Sequence, residues 1–230
     1  MSTIVCGIDN GTQSTKVICY DVSSKKVVAL GQSPHELITK SDGTREQKAE
    51  WWIEALKSSF NQIDPNIRQQ IKAIGVSGQQ HGFVPIDAEG NVLYNVKLWC
   101  DTSTTAECQE IAKKYGGNEQ LLKDNCNLVL PGYTAGKILW LKKHHKELYD
   151  KLDTILLPHD YLNYILTGEK TMEFGDASGT ALLDIKERKW SQKLLKCIDE
   201  ERDLSKCLPK LIQPNEIAGH VSKKAAQLFG

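Results

Sequence analysis

Thr3-Ile4-Val5-Cys6-Gly7-Ile8-Asp9-Asn10-Gly11-Thr12-Gln13-Ser14-Thr15-Lys16-Val17-Ile18-Cys19-Tyr20-Asp21 sets two apolar, β-branched runs on either side of a short polar turn. That pattern predicts a β-hairpin with Asn10-Gly11 in the bend. An Asn-Gly bend allows positive φ and aims successive N–H groups outward, a shape suited to an anion. Hydroxyls of Thr12, Ser14 and Thr15 add donors, and Asp9 offers a hard oxygen ligand for Mg²⁺ at the base. An ordinary hairpin with a polar tip fits the same residues. Asp9 favours the anion-holding reading, because a carboxylate closing an apolar strand beside hydroxyls and glycines has little structural use.

Outward from this hairpin, Ser23 to Lys26 form a second turn and Val27 to Leu30 a third strand. Trp51, Trp52, Ala55, Leu56 and Phe60 fall on one face of a helix from Lys48 to Ile63, stopped by Asp64-Pro65. Ile71 to Ser77 alternates like a strand and runs into Gly78-Gln79-Gln80-His81-Gly82. Phe83 to Asp87 and Val92 to Tyr94 read as a further hairpin. Helical patterns follow at Thr104–Tyr115, Glu119–Asp124, Ala135–His144, Tyr161–Leu166, Ser191–Cys197 and Val221–Phe229, with strands at Thr154–Leu157 and Thr180–Ile185. This order predicts an α/β fold with ligands at the carboxyl ends of strands. The pattern stops directly after a helix, which suggests a piece of something longer.

The 29 basic and 29 acidic residues cancel, leaving no electrostatic footprint for nucleic acid or an acidic membrane. No apolar run approaches the length of a bilayer span, and the first run is too short for a signal peptide, so the expectation is a cytoplasmic chain. Seven scattered cysteines without a C-x-x-C pair suggest reduced thiols rather than zinc or disulfides.

Gly132-Tyr133-Thr134-Ala135-Gly136-Lys137-Ile138 resembles a Walker A loop but lacks one residue between its glycines, and Ile138 stands where a Mg²⁺-binding hydroxyl belongs. His144-His145 reads as a solvated helix face. What remains is polar residues at strand ends. Gln79-Gln80-His81 sits between glycines, and Trp99-Cys100-Asp101 sets an aromatic wall before a carboxylate. His159-Asp160 ends an apolar strand, and Gly175 to Thr180 is a polar turn. Each alone could be a turn, a cap or a core aromatic; together with the Asp9 loop they suit a polyhydroxylated ligand.

The set resembles the N-terminal domain of the FGGY carbohydrate kinases, nearest the xylulokinase branch. The matching segments are Gly7 to Thr12, Gly78 to Gly82, Leu98 to Asp101, Leu130 to Lys137, Leu157 to Leu162 and Asp176 to Thr180, in family order. The chain departs at Gln80, where xylulokinases often carry Met, and at Ser103, where many members carry Arg. The resemblance implies an actin-like (ribonuclease H-like) ATPase domain over residues 1–230, with a mixed sheet and helices on both faces. An adenine-binding C-terminal domain carrying the catalytic base would follow, and the full-length protein could form a homodimer. It implies ATP and Mg²⁺ as cofactors and a sugar as substrate, most nearly D-xylulose; ribulose, gluconate or glycerol, or a non-catalytic sugar-binding module, are the alternatives. Asp9 would organise the metal as catalytic residue. Gly11, Thr12, Gln13, Ser14 and Thr15 would hold phosphates, while Gln80, His81, Trp99 and Asp101 would bind the sugar.

Overall fold

The computed structural model describes residues 3–230; Met1 and Ser2, the first residues of the expected domain, lie outside the described residues. Strands β1 (Ile4–Asn10), β2 (Ser14–Asp21) and β3 (Lys26–Pro34) open the chain, followed by the short β4 (Ile38–Thr39) and β5 (Arg45–Gln47). Helices α1 (Ala49–Asn61) and α2 (Pro65–Arg68) lead to β6 (Ile71–Gly78), β7 (Val84–Ile86) and β8 (Val96–Lys97). The helical part holds α3 (Thr105–Tyr115), α4 (Asn118–Asn125), α5 (Thr134–His144) and α6 (Lys146–Tyr149). After β9 (Thr154–Leu156) come α7 (Pro158–Thr167), β10 (Thr171–Glu173), α8 (Phe174–Ser178), β11 (Leu183–Asp184), β12 (Lys189–Trp190), α9 (Gln192–Ile198), β13 (Lys210–Ile212) and α10 (Lys223–Phe229).

The main sheet runs β3-β2-β1-β6. β1 pairs antiparallel with β2 and parallel with β6, Asn10 standing opposite Thr15 on one side and Gly78 on the other. The opening hairpin therefore forms, but its bend differs from the expected one. Asn10 is the last residue of β1, the bend is Gly11 to Gln13, and neither Asn10 nor Gly11 has positive φ. The Gly11 N–H closes the turn on Ser14 O at 3.0 Å, so only the next two residues have N–H groups to spare.

Alternation decides which face is covered. Ile4, Cys6, Ile8, Val17 and Cys19 point to a core built with Trp52, Leu56 and Phe60 of α1. Gly31 lets α1 approach the sheet, since a Cβ there would lie 1.9 Å from Ser59 O. The chain returns from β3 to β6 through α1, and α7 and α10 dock beside it through Tyr161, Leu162, Leu166, Ala225 and Phe229. Helices α1, α7 and α10 share the face that carries Ile4, Cys6 and Ile8. Ile18, Tyr20 and Leu30 lie exposed on the opposite face because no described helix reaches across the sheet.

β7 and β9 pair antiparallel, Val84 opposite Leu156, and divide two cores. Val84 and Leu156 join the sheet core, while Phe83 and Ile155 point into a second core with Ile111, Leu121, Ile138 and Leu194 of the helical part. The expected hairpin of Phe83–Asp87 with Val92–Tyr94 shrinks to one bridge, Ile86 to Val92, because β7 gives its ladder to β9. The strand expected over Thr180–Ile185 contracts to β11, paired with β12. No described helix is long and apolar enough to cross a membrane. All seven cysteines are free, and burial pushes the Cys6 thiol up to about 12.

Gly31→Ala should destabilise the fold by at least the ~1–3 kcal/mol usual for overpacking, because the blocking atom is backbone. Urea unfolding checks this; an unchanged midpoint would mean that α1 moves away freely.

Candidate functional site

The carboxyl ends of β1 and β6 lie side by side, as their parallel pairing requires. The Gln79 N–H donates to Asn10 O at 2.8 Å, and Gly78 is close enough that a Cβ would stand 3.1 Å from the same oxygen. Asp9, on the uncovered face, keeps a half-exposed side chain 3.8 Å from Lys16 Nζ. A furrow bounded by Gly7, Asp9, Lys16, Gly75 and Ser77 runs up to it.

Beneath the turn, Gln47 is fully buried and works as a hub. Its Nε2 donates to Thr12 O at 2.8 Å, and its Oε1 accepts from Trp52 Nε1 at 3.0 Å and Gln79 Nε2 at 2.8 Å. The five expected phosphate-holding residues divide accordingly. Thr12, Gln13 and Ser14 stay at the surface of the turn. The Thr12 and Gln13 N–H groups donate to no acceptor among the described residues. Thr15 departs from expectation: it is fully buried and its hydroxyl donates to Asn10 Oδ1 at 3.0 Å, because its strand position faces α1. The Gly11 N–H is likewise consumed within the turn.

Facing this turn is Trp99, half-exposed, whose Nε1 donates to Thr12 Oγ1 at 3.0 Å. Two segments that are 87 residues apart thus meet at the site. The Gly78–Gly82 loop is clamped from several sides. A Cβ at Gly82 would meet Pro158 Cγ at 2.6 Å, and one at Gly179 would meet the His81 ring at 2.2 Å. His81 has φ 59°, uncommon for a residue with a side chain, and its ring lies 4.6 Å from that of Tyr133. Burial, then the Lys137 charge, lowers the His81 pKa, so the ring is neutral near pH 7. Gln80 is exposed at the loop's outer edge.

Asp101 departs from expectation. Its side chain is wholly buried, and its oxygens accept from Arg45 N–H at 2.8 Å, Ser103 N–H at 3.0 Å and Ser103 Oγ at 2.6 Å. Lys97 Nζ stands 3.4 Å from Asp101, 3.0 Å from Glu46 and 4.0 Å above the Trp140 ring. This carboxylate shapes the Trp99 turn from below and presents no oxygen to a ligand. Ser103 turns inward with it.

The sequence reading assigned no role to Lys137 or Tyr133, and it placed His159-Asp160 at a strand end. Lys137, set aside with the false Walker loop, lies in α5, fully buried; its Nζ donates to His81 O and Gly132 O, each at 2.6 Å. The signal was a lone lysine in the otherwise apolar stretch Ala135 to Leu141. Tyr133 packs on His81. His159 and Asp160 open α7 rather than ending a strand. His159 Nε2 pairs with Asp160 at 3.0 Å and its Nδ1 with Asp176. Burial works against the charged imidazole, but these carboxylates outweigh it and hold His159 up at about 9.

The donor set suits the implied cofactors in part. Mg²⁺ commonly takes one or two carboxylates and completes its shell with water and substrate phosphates, which Asp9 beside a turn with unused N–H groups can serve. No described group of three or more His, Cys, Asp or Glu side chains could hold a metal without such a substrate.

A mixed β3-β2-β1-β6 sheet with a polar turn at its open end defines an actin-like ATPase domain. Residues 4–230 match the FGGY family of carbohydrate kinases, N-terminal domain, and the chain belongs to that family. The xylulose kinase of Haemophilus influenzae is 41% identical over 97% of this chain and 47% of its own length. The ligand-bound xylulose kinase of Lactobacillus acidophilus superposes with a TM-score of 0.85 at 26% identity, covering 99% of this chain and 45% of that one. The glycerol kinase of Plasmodium falciparum with ADP gives the same TM-score and identity, over 98% and 46%. The chain spans about half the length of the curated relatives it matches.

Asp101→Ala should cost roughly 3–5 kcal/mol of folding stability, the usual effect of removing one partner of a buried ion pair. A urea midpoint within error of wild type would return Asp101 to the list of ligand contacts. For His159 the folded pKa is raised, so its contribution is fully present below pH 6.5 and lost as pH rises through about 9. The stability difference between wild type and Asp176→Asn should therefore shrink from pH 6 to 10. Thermal melts across that range check the sign.

Proposed function

We propose that this chain is the sugar-binding half of an ATP-dependent ketose kinase that acts in the cytoplasm and converts D-xylulose to D-xylulose 5-phosphate. The observation that carries the reading is the Trp99–Thr12 hydrogen bond, which joins an aromatic wall suited to a sugar face directly to the phosphate-type turn. Phosphoryl transfer asks for alignment and charge neutralisation more than for covalent help. In this reading the sugar lies against Trp99 and receives hydrogen bonds from Gln80 and the neutral His81 ring. Its 5-hydroxyl points at the turn. The Thr12 and Gln13 N–H groups, with the Thr12 and Ser14 hydroxyls, face the ATP phosphates. Asp9 is the residue that would hold Mg²⁺, which when bound neutralises phosphate charge. The hydroxyl oxygen bonds to the γ-phosphorus, the bond to the ADP oxygen breaks, and the hydroxyl proton passes to a base. The reading assigns that base, and the adenine contacts, to the part of the protein that corresponds to the relatives' remaining length.

Titration of the chain with D-xylulose, D-ribulose, glycerol and D-gluconate, followed by NMR shifts up to millimolar sugar and beyond, tests the proposal. D-Xylulose should bind best, and His81→Ala should cost about 1–3 kcal/mol, the usual range for a buried polar group left unpaired. Preference for another of the four sugars would keep the kinase and change its substrate. Absence of binding to all four would overturn the reading. Tight binding with no phosphate response would favour a non-catalytic sugar-binding module. A coupled ADP-release assay on the same chain should show less than ~1 s⁻¹, the low end of ordinary enzyme rates, for want of base and adenine contacts.

A further inference from the structure

Lys137 is the most unusual charge in the molecule. It is wholly buried, and no carboxylate among the described residues lies within ion-pair distance of its ammonium. The charges of Asp101 and Lys97 act on it in opposite senses. A buried charge without a counterion is costly, and a residue needed only to fill this place in α5 would be a leucine or methionine. What the lysine gains is two main-chain oxygens, His81 O and Gly132 O, both at 2.6 Å.

Those oxygens belong to two residues with positive φ, uncommon for His81 and natural for Gly132. His81 sits at φ 59° and Gly132 at φ 93°. Gly132 packs so closely over Trp99 that a Cβ would fall 2.3 Å from Trp99 O. The residue next to Gly132 is Tyr133, whose ring rests on His81. One amine therefore ties the loop carrying His81 to the loop carrying Tyr133, and through Gly132 it fixes the backbone of Trp99. Thr134 Oγ1 also reaches His81 O, at 3.3 Å, a longer and weaker contact.

We propose that Lys137 is a positioning residue for sugar specificity: by gripping the His81 and Gly132 carbonyls it sets the spacing between the His81–Tyr133 wall and the Trp99 wall. The proposal rests on the sugar-kinase reading for the identity of the ligand, but not for the clamp itself. Lys137 touches no ligand. Its removal should loosen the acceptor walls and leave the Thr12 carbonyl, which Gln47 and not Lys137 holds, as it was.

Lys137→Met keeps the volume and removes both hydrogen bonds. In the ligand-free chain, the ring-current shift of the His81 protons over Tyr133 should collapse toward the value of a mobile histidine. D-Xylulose affinity should fall by about tenfold or more, as expected for loss of two hydrogen bonds that order a site. Shifts of the Thr12 and Gln13 amides on adding Mg²⁺–ATP should stay as in wild type. That split between sugar and phosphate responses separates positioning from general loss of structure. An unmoved His81 signal together with unchanged sugar affinity would overturn the proposal. If wild type binds none of the four sugars, the functional reading falls, and the His81 signal alone judges the clamp. If Lys137→Met does not fold, the unmodified chain decides. Couplings through hydrogen bonds from Lys137 Nζ to the His81 and Gly132 carbonyl carbons should then be observable, and their absence from an otherwise assigned spectrum would refute the clamp.

Discussion

A single buried amide holds the open end of the sheet together. Gln47 has no exposed surface, yet it meets Thr12 O, Trp52 Nε1 and Gln79 Nε2 within 3.0 Å. Each of those groups would otherwise be an unpaired polar atom in a core, at a cost comparable to a lost hydrogen bond. Through them the turn after β1, the body of α1 and the loop after β6 share one support. The placement follows from β5, only three residues long, which brings Gln47 under the hairpin and pairs with β8, two residues before Trp99. The wall and the turn meet because both are mounted on the same short piece of chain.

The parts of the molecule legible in the sequence were those with local periodicity. β1, β2, β6, α1, α3 and α5 lie within a residue or two of where alternation and helical spacing put them, because each buries one face against a neighbour already implied by the pattern. β4, β5, β8, β10 and β13 were not foreseen; strands of two or three residues carry no period and exist only because a distant partner offers a ladder. The same limit applies at the site. Trp99, His81 and the Asp9 turn stood out as polar or aromatic residues at strand ends. Asp101 looked equally exposed, but its carboxylate serves Arg45, which is 56 residues away, and no local rule reveals such a partner. Thr15 was misread for a simpler reason: along a strand, one residue decides which face a hydroxyl meets.

Electrostatics divides along the same line. Around the site, several buried charges belong to supports, Lys97 with Glu46 and Asp101, and His159 with Asp160 and Asp176. Asp9, by contrast, stays half-exposed with one distant lysine for company. A solvent-facing carboxylate of this kind is open to a ligand from outside, which fits the metal-holding role proposed for it.

Two further supports hold main-chain atoms instead. Gln47 takes the carbonyl of Thr12, and Lys137 takes the carbonyls of His81 and Gly132. The backbones at positions 12 and 81 are therefore held independently of the side chains they carry, although the Thr12 hydroxyl and the His81 ring add contacts of their own. Mutation can exchange the groups that read a ligand while the scaffold presenting them stays intact, so a change of substrate need not pass through an unfolded ancestor. A fold organised in this way can vary its recognition surface on a constant frame, which accords with its occurrence in kinases named for substrates as different as xylulose and glycerol.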